Sequence, residues 1–322
     1  MYTPVPEELL AALMGFSKFV LIGHEEPDGD CLSSQKGLGS FLRRRGGDTV
    51  LVSPGPFTKK EISRLSGDFS SHIPDTHRDR GTLSIVLDCS TIDRIGYLAE
   101  ELGETPTAVI DHHSSGRSFG DIKYIDQEAP SVTYMVQKII TAMGDVPQAD
   151  EAETLLFGLC TDTGFFRHLE SESAPVFESA AELVKAGASP KRIHAAMYGG
   201  RSLASRTLLG ILLSRTEALY NGRLLVTYET LEEKEKYGEE NRDSDTLYRH
   251  LQEVEGCQVV LLIREESPGE CSAGLRSNNH IDVGKIAGTF GGGGHAKAAG
   301  FMRYSTIKET LEAAVESIGR VL

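Results

Sequence analysis

The sequence predicts an α/β chain of two domains. A parallel-sheet domain is expected over residues 1–200, a linker helix over 201–216 and a smaller α/β domain over 217–322. Three observations carry this reading. At 322 residues the chain exceeds one ordinary core. Its N-terminal half alternates short β-branched runs with helical patterns, and the runs lack the alternation of a sheet with one wet face. After Gly199-Gly200 the pattern restarts with strands that read as a hairpin.

Taken in order, FVLI at 19–22 reads as a buried strand that enters the loop HEEPDGD. A helix then runs from about Cys31 to Arg45. Further strands are expected at 50–52, 85–87 and 108–110. Val132, Met135, Val136, Ile139, Ile140 and Met143 lie at helical spacing, as do Ala152, Leu155, Leu156, Leu159 and Cys160. Ser173-Ala174-Pro175 and Ser189-Pro190 read as helix starts with proline in the first turn. The linker helix carries Leu208, Leu209, Leu212 and Leu213. Beyond it come a strand at 224–228, a charged stretch at 232–245 read as a solvated helix face and loop, and a hairpin pairing 259–264 with 271–276. A glycine-rich loop, a strand near Phe301 and a helix opened by the capping box Thr306/Glu309 complete the chain. No internal repeat is present.

Composition narrows the function. With 33 Lys plus Arg against 47 Asp plus Glu, the net charge is −14. Binding to long DNA or RNA requires a basic face that releases counterions, so a phosphate-bearing partner is expected to be short. No apolar run of membrane-spanning length and no leader-like basic and apolar N-terminus is seen. Five scattered cysteines (Cys31, Cys89, Cys160, Cys257 and Cys271), odd in number and without a CxxC pair, fit free thiols in a reducing cytoplasm.

Four polar clusters follow apolar segments: His24 with Asp28-Gly29-Asp30, Asp88 after SIVL, Asp111-His112-His113 after AVI, and Asp162 in LLFGLCTD. Strand carboxyl ends share one rim of an open α/β sheet, so these segments are expected to converge there. Each cluster alone has a bland meaning. Asp-Gly-Asp is usually a turn with a helix cap, Asp88 a loop aspartate, a His-His pair one buried and one exposed ring, and Asp162 a turn residue. Together they supply carboxylates and imidazoles without thiolate, a donor set suited to Mn²⁺ or Mg²⁺ rather than structural zinc. Two such ions, about 3.5–4 Å apart, can clamp an in-line displacement at phosphorus.

HEEPDGDC, LDCS, DHH and TDTG, in this order, resemble the four motifs of the DHH phosphoesterase family. GGGGHAKAAGF at 291–301 resembles the glycine-rich signature of its accompanying DHHA1 domain. The resemblance spans the chain and is nearest to the nano-RNase and pAp-phosphatase branch, which includes cyclic-dinucleotide phosphodiesterases. It implies two divalent ions, Mn²⁺ before Mg²⁺. His24, Asp28 and Asp88 would hold one; Asp30, Asp88, His112 and Asp162 would hold the other, with Asp88 bridging. Asp111 would orient a histidine, and His113 would contact the scissile phosphate or assist the leaving oxygen. Cys31 and Ser33 stand where Ala and Gly are common in the family, and Glu25-Glu26 make the loop acidic.

Four glycines (Gly291, Gly292, Gly293 and Gly294) let backbone N–H groups approach an anion, and His295 adds a donor. Arg276-Ser277 resembles the family's second phosphate contact. Arg94 and Arg167 lie beside metal motifs, where they either touch substrate or neutralise an acidic crevice. The implied activity is hydrolysis of short oligoribonucleotides (nanoRNA), together with 3′-phosphoadenosine 5′-phosphate (pAp). A cyclic or linear dinucleotide phosphodiesterase (c-di-AMP, pApA) is the alternative, polyphosphate or pyrophosphate hydrolysis ranks below it, and a non-catalytic nucleotide-binding regulator is the different class. The expected partner is a short oligoribonucleotide or small nucleotide, with no long nucleic acid and no membrane. A homodimer remains open.

Overall fold

The computed structural model describes residues 2–113, 119–278 and 280–322. The chain divides into two compact units, Met1–Gly199 and Gly200–Leu322. Among the described residues no helix is long and apolar enough to cross a membrane.

In the first unit, helix α1 (Glu7–Gly15) precedes strand β1 (Lys18–Ile22) and helix α2 (Gly29–Arg44). Strand β2 (Asp48–Val52), the one-turn helix α3 (Lys60–Ser63), strand β3 (Thr82–Leu87) and the short helix α4 (Leu98–Glu101) follow. Strands β4 (Thr107–Asp111) and β5 (Ile122–Ile125) complete a five-stranded sheet ordered β2-β1-β3-β4-β5, parallel at every pairing. Four helices close the unit: α5 (Val132–Ala142), α6 (Ala149–Asp162), α7 (Ala174–Lys185) and α8 (Pro190–Tyr198). The strands' missing alternation has its cause here, because both faces are covered. Leu21, Ile85, Leu87 and Ile110 pack into the main core with α2, α5 and α6, while Val20, Ile22, Val86 and Val109 pack beneath Ile95 and Leu98.

Two features of this sheet position the site. The strand order reverses between β1 and β3, which makes their carboxyl ends the switch point of a doubly wound sheet. The register pairs Ile22 with Val86 and Leu87 with Ile110, so His24, Asp88 and Asp111 emerge at one level of the rim. Behind that rim α2 and α6 pack almost backbone to backbone. A Cβ on Gly29 would lie 2.5 Å from the Thr161 side chain, and one on Gly158 would lie 2.4 Å from Thr133 Cγ2 and 2.9 Å from Ser33 Cβ.

The second unit begins with α9 (Leu203–Ser214), the helix expected as a connector. Its Leu208, Leu209 and Leu212 are core residues packed with Leu225, Leu247 and Leu262. Strands β6 (Glu217–Leu219) and β7 (Leu224–Glu229) and helix α10 (Leu231–Tyr237) come next. The charged stretch read as helix face and loop then contains the start of a further helix, α11 (Ser244–Gln252), which buries Leu247, Tyr248 and Leu251. The local charge pattern hid this apolar face. The stretch is tied down by ion pairs: Glu229, fully buried, accepts from Arg242 and Arg264, each at 2.9 Å. Strands β8 (Val259–Ser267) and β9 (Glu270–Ser277) form the expected hairpin, with the turn narrowed to Pro268-Gly269. Helix α12 (Val283–Gly288), strands β10 (Gly293–His295) and β11 (Ala298–Arg303) and helix α13 (Ile307–Gly319) finish the unit. Its sheet is mixed, ordered β10-β11-β9-β8-β7-β6, with only β7 and β8 parallel.

The glycine contacts predict opposite outcomes at two helical positions. Gly158→Ala should destabilise the chain by about 1–3 kcal/mol, because the new methyl meets Ser33 Cβ and Thr133 at overpacked distances. Gly210→Ala, facing open space on α9, should stabilise it by about 0.5–1 kcal/mol. Urea unfolding followed by circular dichroism reads both.

Candidate metal centre

Helix α2 starts where Asp28 caps it, Oδ1 accepting the N–H groups of Asp30 and Cys31 at 3.1 Å each. This delivers Asp30 into the interior, where it meets a second helix end. Its carboxylate accepts from the N–H of Val132 at 2.6 Å, the N–H of Thr133 at 2.9 Å and the Thr133 hydroxyl at 2.6 Å, all at the N-terminus of α5. Two helix dipoles therefore favour its negative charge, yet burial, with the Asp88 and Asp162 charges beside it, pushes its pKa well above the usual range.

Asp88 stands one residue beyond β3 with φ +64°, a left-handed conformation that a non-glycine residue adopts at a cost in strain. That bend turns a carboxylate only 2% exposed toward two histidines. His24 Nε2 lies 3.5 Å from Asp88 Oδ2, and His112 Nε2 lies 3.5 Å from Asp88 Oδ1 and 3.4 Å from Asp162 Oδ2. Each ring is set by a backbone carbonyl: His24 Nδ1 is 2.6 Å from the Glu25 oxygen, His112 Nδ1 3.0 Å from that of Ala129. With Nδ1 donating outward, both Nε2 atoms aim inward, the orientation a metal-binding histidine needs.

Three ligand groupings result, each with donor atoms within 4.8 Å of one another: His24, Cys31 and Asp88; Asp88, His112 and His113; Asp30, His112 and Asp162. Asp88 and His112 each belong to two, so the three form one continuous centre. Asp88 Oδ1 is a buried oxygen without a hydrogen-bond partner, as is Asp111 Oδ2. Such atoms are costly unless a further group binds them.

Asp28 joins none of these groupings, its Oδ1 being engaged as a helix cap. Cys31 joins one of them as well. Burial raises its thiol to about 11, so it stands beside His24 as a neutral thiol at pH 7. The signal was present in its place directly after Asp30, one turn from the cap of α2. Asp111 accepts from the N–H groups of His112 and His113 and from His113 Nδ1 at 2.8 Å, fixing the last ring. Exposed Arg94 reaches within 3.5 Å of His24 Nδ1, whereas exposed Arg167 donates to its neighbour His168. Beyond Asp162 the sequence reading missed Phe165 and Phe166, both with positive φ, whose rings cluster with His194, Tyr198 and Phe177. The consecutive aromatics after Gly164 were the available clue.

In the second unit Arg276, Ala298 and His295 form one row across β9, β11 and β10, so Arg276 and His295 share a face of the sheet, about 10 Å apart. The Arg276 guanidinium lies over the Tyr248 ring at 4.4 Å, and Ser277 beside it is buried. The glycine run is less a loop than expected. Gly291 turns with φ +76°, Gly293 and Gly294 form the edge strand, and packing requires two of the four. A Cβ on Gly292 would lie 2.2 Å from the Gly300 oxygen, and one on Gly294 2.6 Å from the Ala298 oxygen.

Residues 18–159 match the model of the DHH family N-terminal domain, and residues 221–322 that of the DHHA1 domain. The chain is 30% identical over 294 residues to the bifunctional oligoribonuclease and PAP phosphatase NrnA of Thermus thermophilus, covering 91% of this chain and 86% of that one. It is 25% identical over 303 residues to the protein of the same name from Bacillus subtilis, covering 92% and 93%. An exopolyphosphatase-related protein from Bacteroides fragilis has the same fold, with a TM-score of 0.82 over 98% of this chain and 95% of that one, at 22% identity.

The centre's protonation makes a prediction. Burial works to lower the His112 pKa, but Asp88, Asp30 and Asp162 around it raise it to about 10. Burial likewise opposes charge on His24, while Cys31 and Asp88 against its ring raise its pKa above the ordinary value. Both rings are therefore imidazolium at pH 7 without metal, and coordination through Nε2 must expel their protons. Manganese added to the chelated chain at pH 7 is expected to release about two protons, and its affinity to climb from pH 6 toward pH 10. Titration in an indicator dye checks the first, calorimetry across pH the second.

Proposed function

Because this chain belongs to the DHH family and carries a DHHA1 domain behind its catalytic one, it is a phosphoester hydrolase, and we propose that its substrates are short oligoribonucleotides and pAp. The observation that carries the proposal is the convergence of His24 and His112 Nε2 on the two oxygens of buried Asp88, with Oδ1 left unpartnered. A relative of 30% identity that is named an oligoribonuclease and PAP phosphatase supports the choice of substrate.

The donor set fits two divalent cations. Asp88 would touch both, His24 and Asp28 would complete one, and Asp30, His112 and Asp162 the other. Manganese suits this mix of imidazole and carboxylate, with magnesium the alternative. When bound, such ions polarise phosphoryl oxygens and make water a nucleophile at neutral pH. The chain's own residues do the rest. The Asp111 hydrogen bond raises the His113 pKa against the opposing effect of burial, which favours the protonated form of this partly exposed ring. With Nδ1 held by Asp111, His113 Nε2 is the donor to the leaving oxygen. Asp30 and Asp88 gather negative charge in a dry site, where it orders cations. In the second unit Arg276, with Ser277 beside it, and His295, with the Gly291–Gly294 hairpin, bind substrate phosphate. Arg94 and Arg167 add cations in the first unit.

Asp88→Asn should reduce hydrolysis of a 5′-phosphorylated trinucleotide and of pAp to background, and cut metal content. Asp111→Asn should retain metal but lose about 10–100-fold in kcat. Arg276→Ala should keep metal content and raise KM by about 10–100-fold. Full activity in Asp88→Asn at saturating manganese sinks the metal assignment. Rapid cleavage of cyclic di-AMP beside inert trinucleotide and pAp moves the substrate to cyclic dinucleotides.

Substrate length is tested separately. A net charge of −14 opposes a long polyanion, so kcat/KM should peak at about two to five nucleotides and fall beyond about ten, and added salt should leave the long-strand rate unchanged or higher. A rate that climbs with length and collapses in salt would identify a nuclease of long strands.

A further inference from the structure

Away from the metal centre, the helical layer of the first unit contains a cavity of about 190 Å³ between α2, α6, α8 and the turn after α3. Its polar wall consists of donors. Ser33 and Lys36 come from α2, Arg64 from the end of α3, Thr154 from α6 and Arg192 from α8. Glu153 is the one carboxylate of the lining, and it is already engaged by the bidentate Arg192 fork at 2.9 and 3.0 Å. Lys36 pairs with Asp68, which stands outside the lining. The Arg64 side chain makes no hydrogen bond or ion pair among the described residues. Ser33 is 1% exposed and its Oγ has no hydrogen-bond partner.

We propose that this cavity is a binding site for a compact phosphate monoester, such as a pentose or nucleoside monophosphate, separate from the metal centre. With Arg192 paired to Glu153 and Lys36 to Asp68, Arg64 leaves a surplus of one positive charge in a chain of net charge −14. Guanidinium, ammonium and hydroxyl donors match phosphate oxygens in geometry and charge. The remaining wall, Leu65, Phe157, Ile193 and Ala196, is apolar and suits the sugar or base that an ester carries. Size agrees, since a cavity of about 150 Å³ takes benzene, so this one holds a ring beside part of a phosphate whose outer oxygens face Arg64.

The location gives the site a consequence. Ser33 lies three residues beyond Asp30 on α2, about one turn, and Phe157 five residues before Asp162 on α6. An occupant touches the two helices that carry these metal-ligand candidates, at the level where Ser33 packs on Gly158.

The test is calorimetry on the full-length chain with ribose 5-phosphate, AMP and inorganic phosphate. It is run after chelation and again in Asp88→Asn, both with Arg276→Ala so that the phosphate contact proposed in the second unit is removed. Neither turnover nor bound metal is required, so a failure of the hydrolase reading stays distinguishable. Ribose 5-phosphate or AMP should bind in both, more tightly than inorganic phosphate. Arg64→Glu should weaken binding at least about tenfold, the loss of a charge-assisted hydrogen bond, with an unchanged melting curve because Arg64 is exposed. Absence of binding at millimolar ester overturns the proposal. So does binding that ignores Arg64→Glu, and so does an ester that binds no more tightly than inorganic phosphate.

Discussion

The carboxylate of Asp88 sits 2% exposed at the carboxyl end of the middle strand of the parallel sheet, amid Asp30, Asp111 and Asp162. Removing an unpaired carboxylate from water costs several kcal/mol even after relaxation. The surrounding architecture compensates that cost. Burial works to raise the Asp88 pKa, but the His112 and His24 rings against its two oxygens hold it down to about 2. Those rings do so only because the Ala129 and Glu25 carbonyls orient them. For Asp162, burial and the Asp88 charge prevail over His112 and raise its carboxyl to about 6. Cations bound as proposed would relieve this divergence within one cluster.

The same requirement explains the helix packing. Asp30 must reach the centre from α2 and Asp162 from α6, so the two helices have to converge at the rim. Gly29, Ser33 and Gly37 on α2, facing Thr161, Gly158 and Leu155, permit that approach. Small residues at a helix crossing usually cost stability through backbone entropy. Here they allow the close approach that brings the two carboxylates to one point. The proposed phosphate-ester cavity lies along this seam, where α2 and α6 cannot both be fully covered by large side chains.

The second unit solves a different problem. Its buried acid, Glu229, is neutralised by two arginines, Arg242 and Arg264, from the protein itself. Its sheet leaves Arg276 and His295 in one row at an edge whose glycines are kept slender by packing against Gly300 and Ala298. One unit thus has acid awaiting cations, and the other has cations partly free for an anion. That division fits the proposed separation of metal-binding and phosphate-binding surfaces.

How much of this was legible in the sequence depended on the range of the interactions. Apolar strands ending in His24, Asp88 and Asp111 could be read directly, because in a doubly wound sheet strand carboxyl ends share a rim and no long-range detail is needed. The helical stripes of α5, α6 and α13 were equally plain, each being set by a local period. Other features were not local. The grip of Asp30 on the start of α5 depends on segments about a hundred residues apart meeting in register. The left-handed bend at Asp88, the tautomer-setting carbonyls and the hidden apolar face of α11 also arise only on packing. Residue type and order determined which chemistry the chain can carry out. Tertiary structure decided which atoms face one another, because burial and orientation are properties of the assembled neighbours rather than of any one segment.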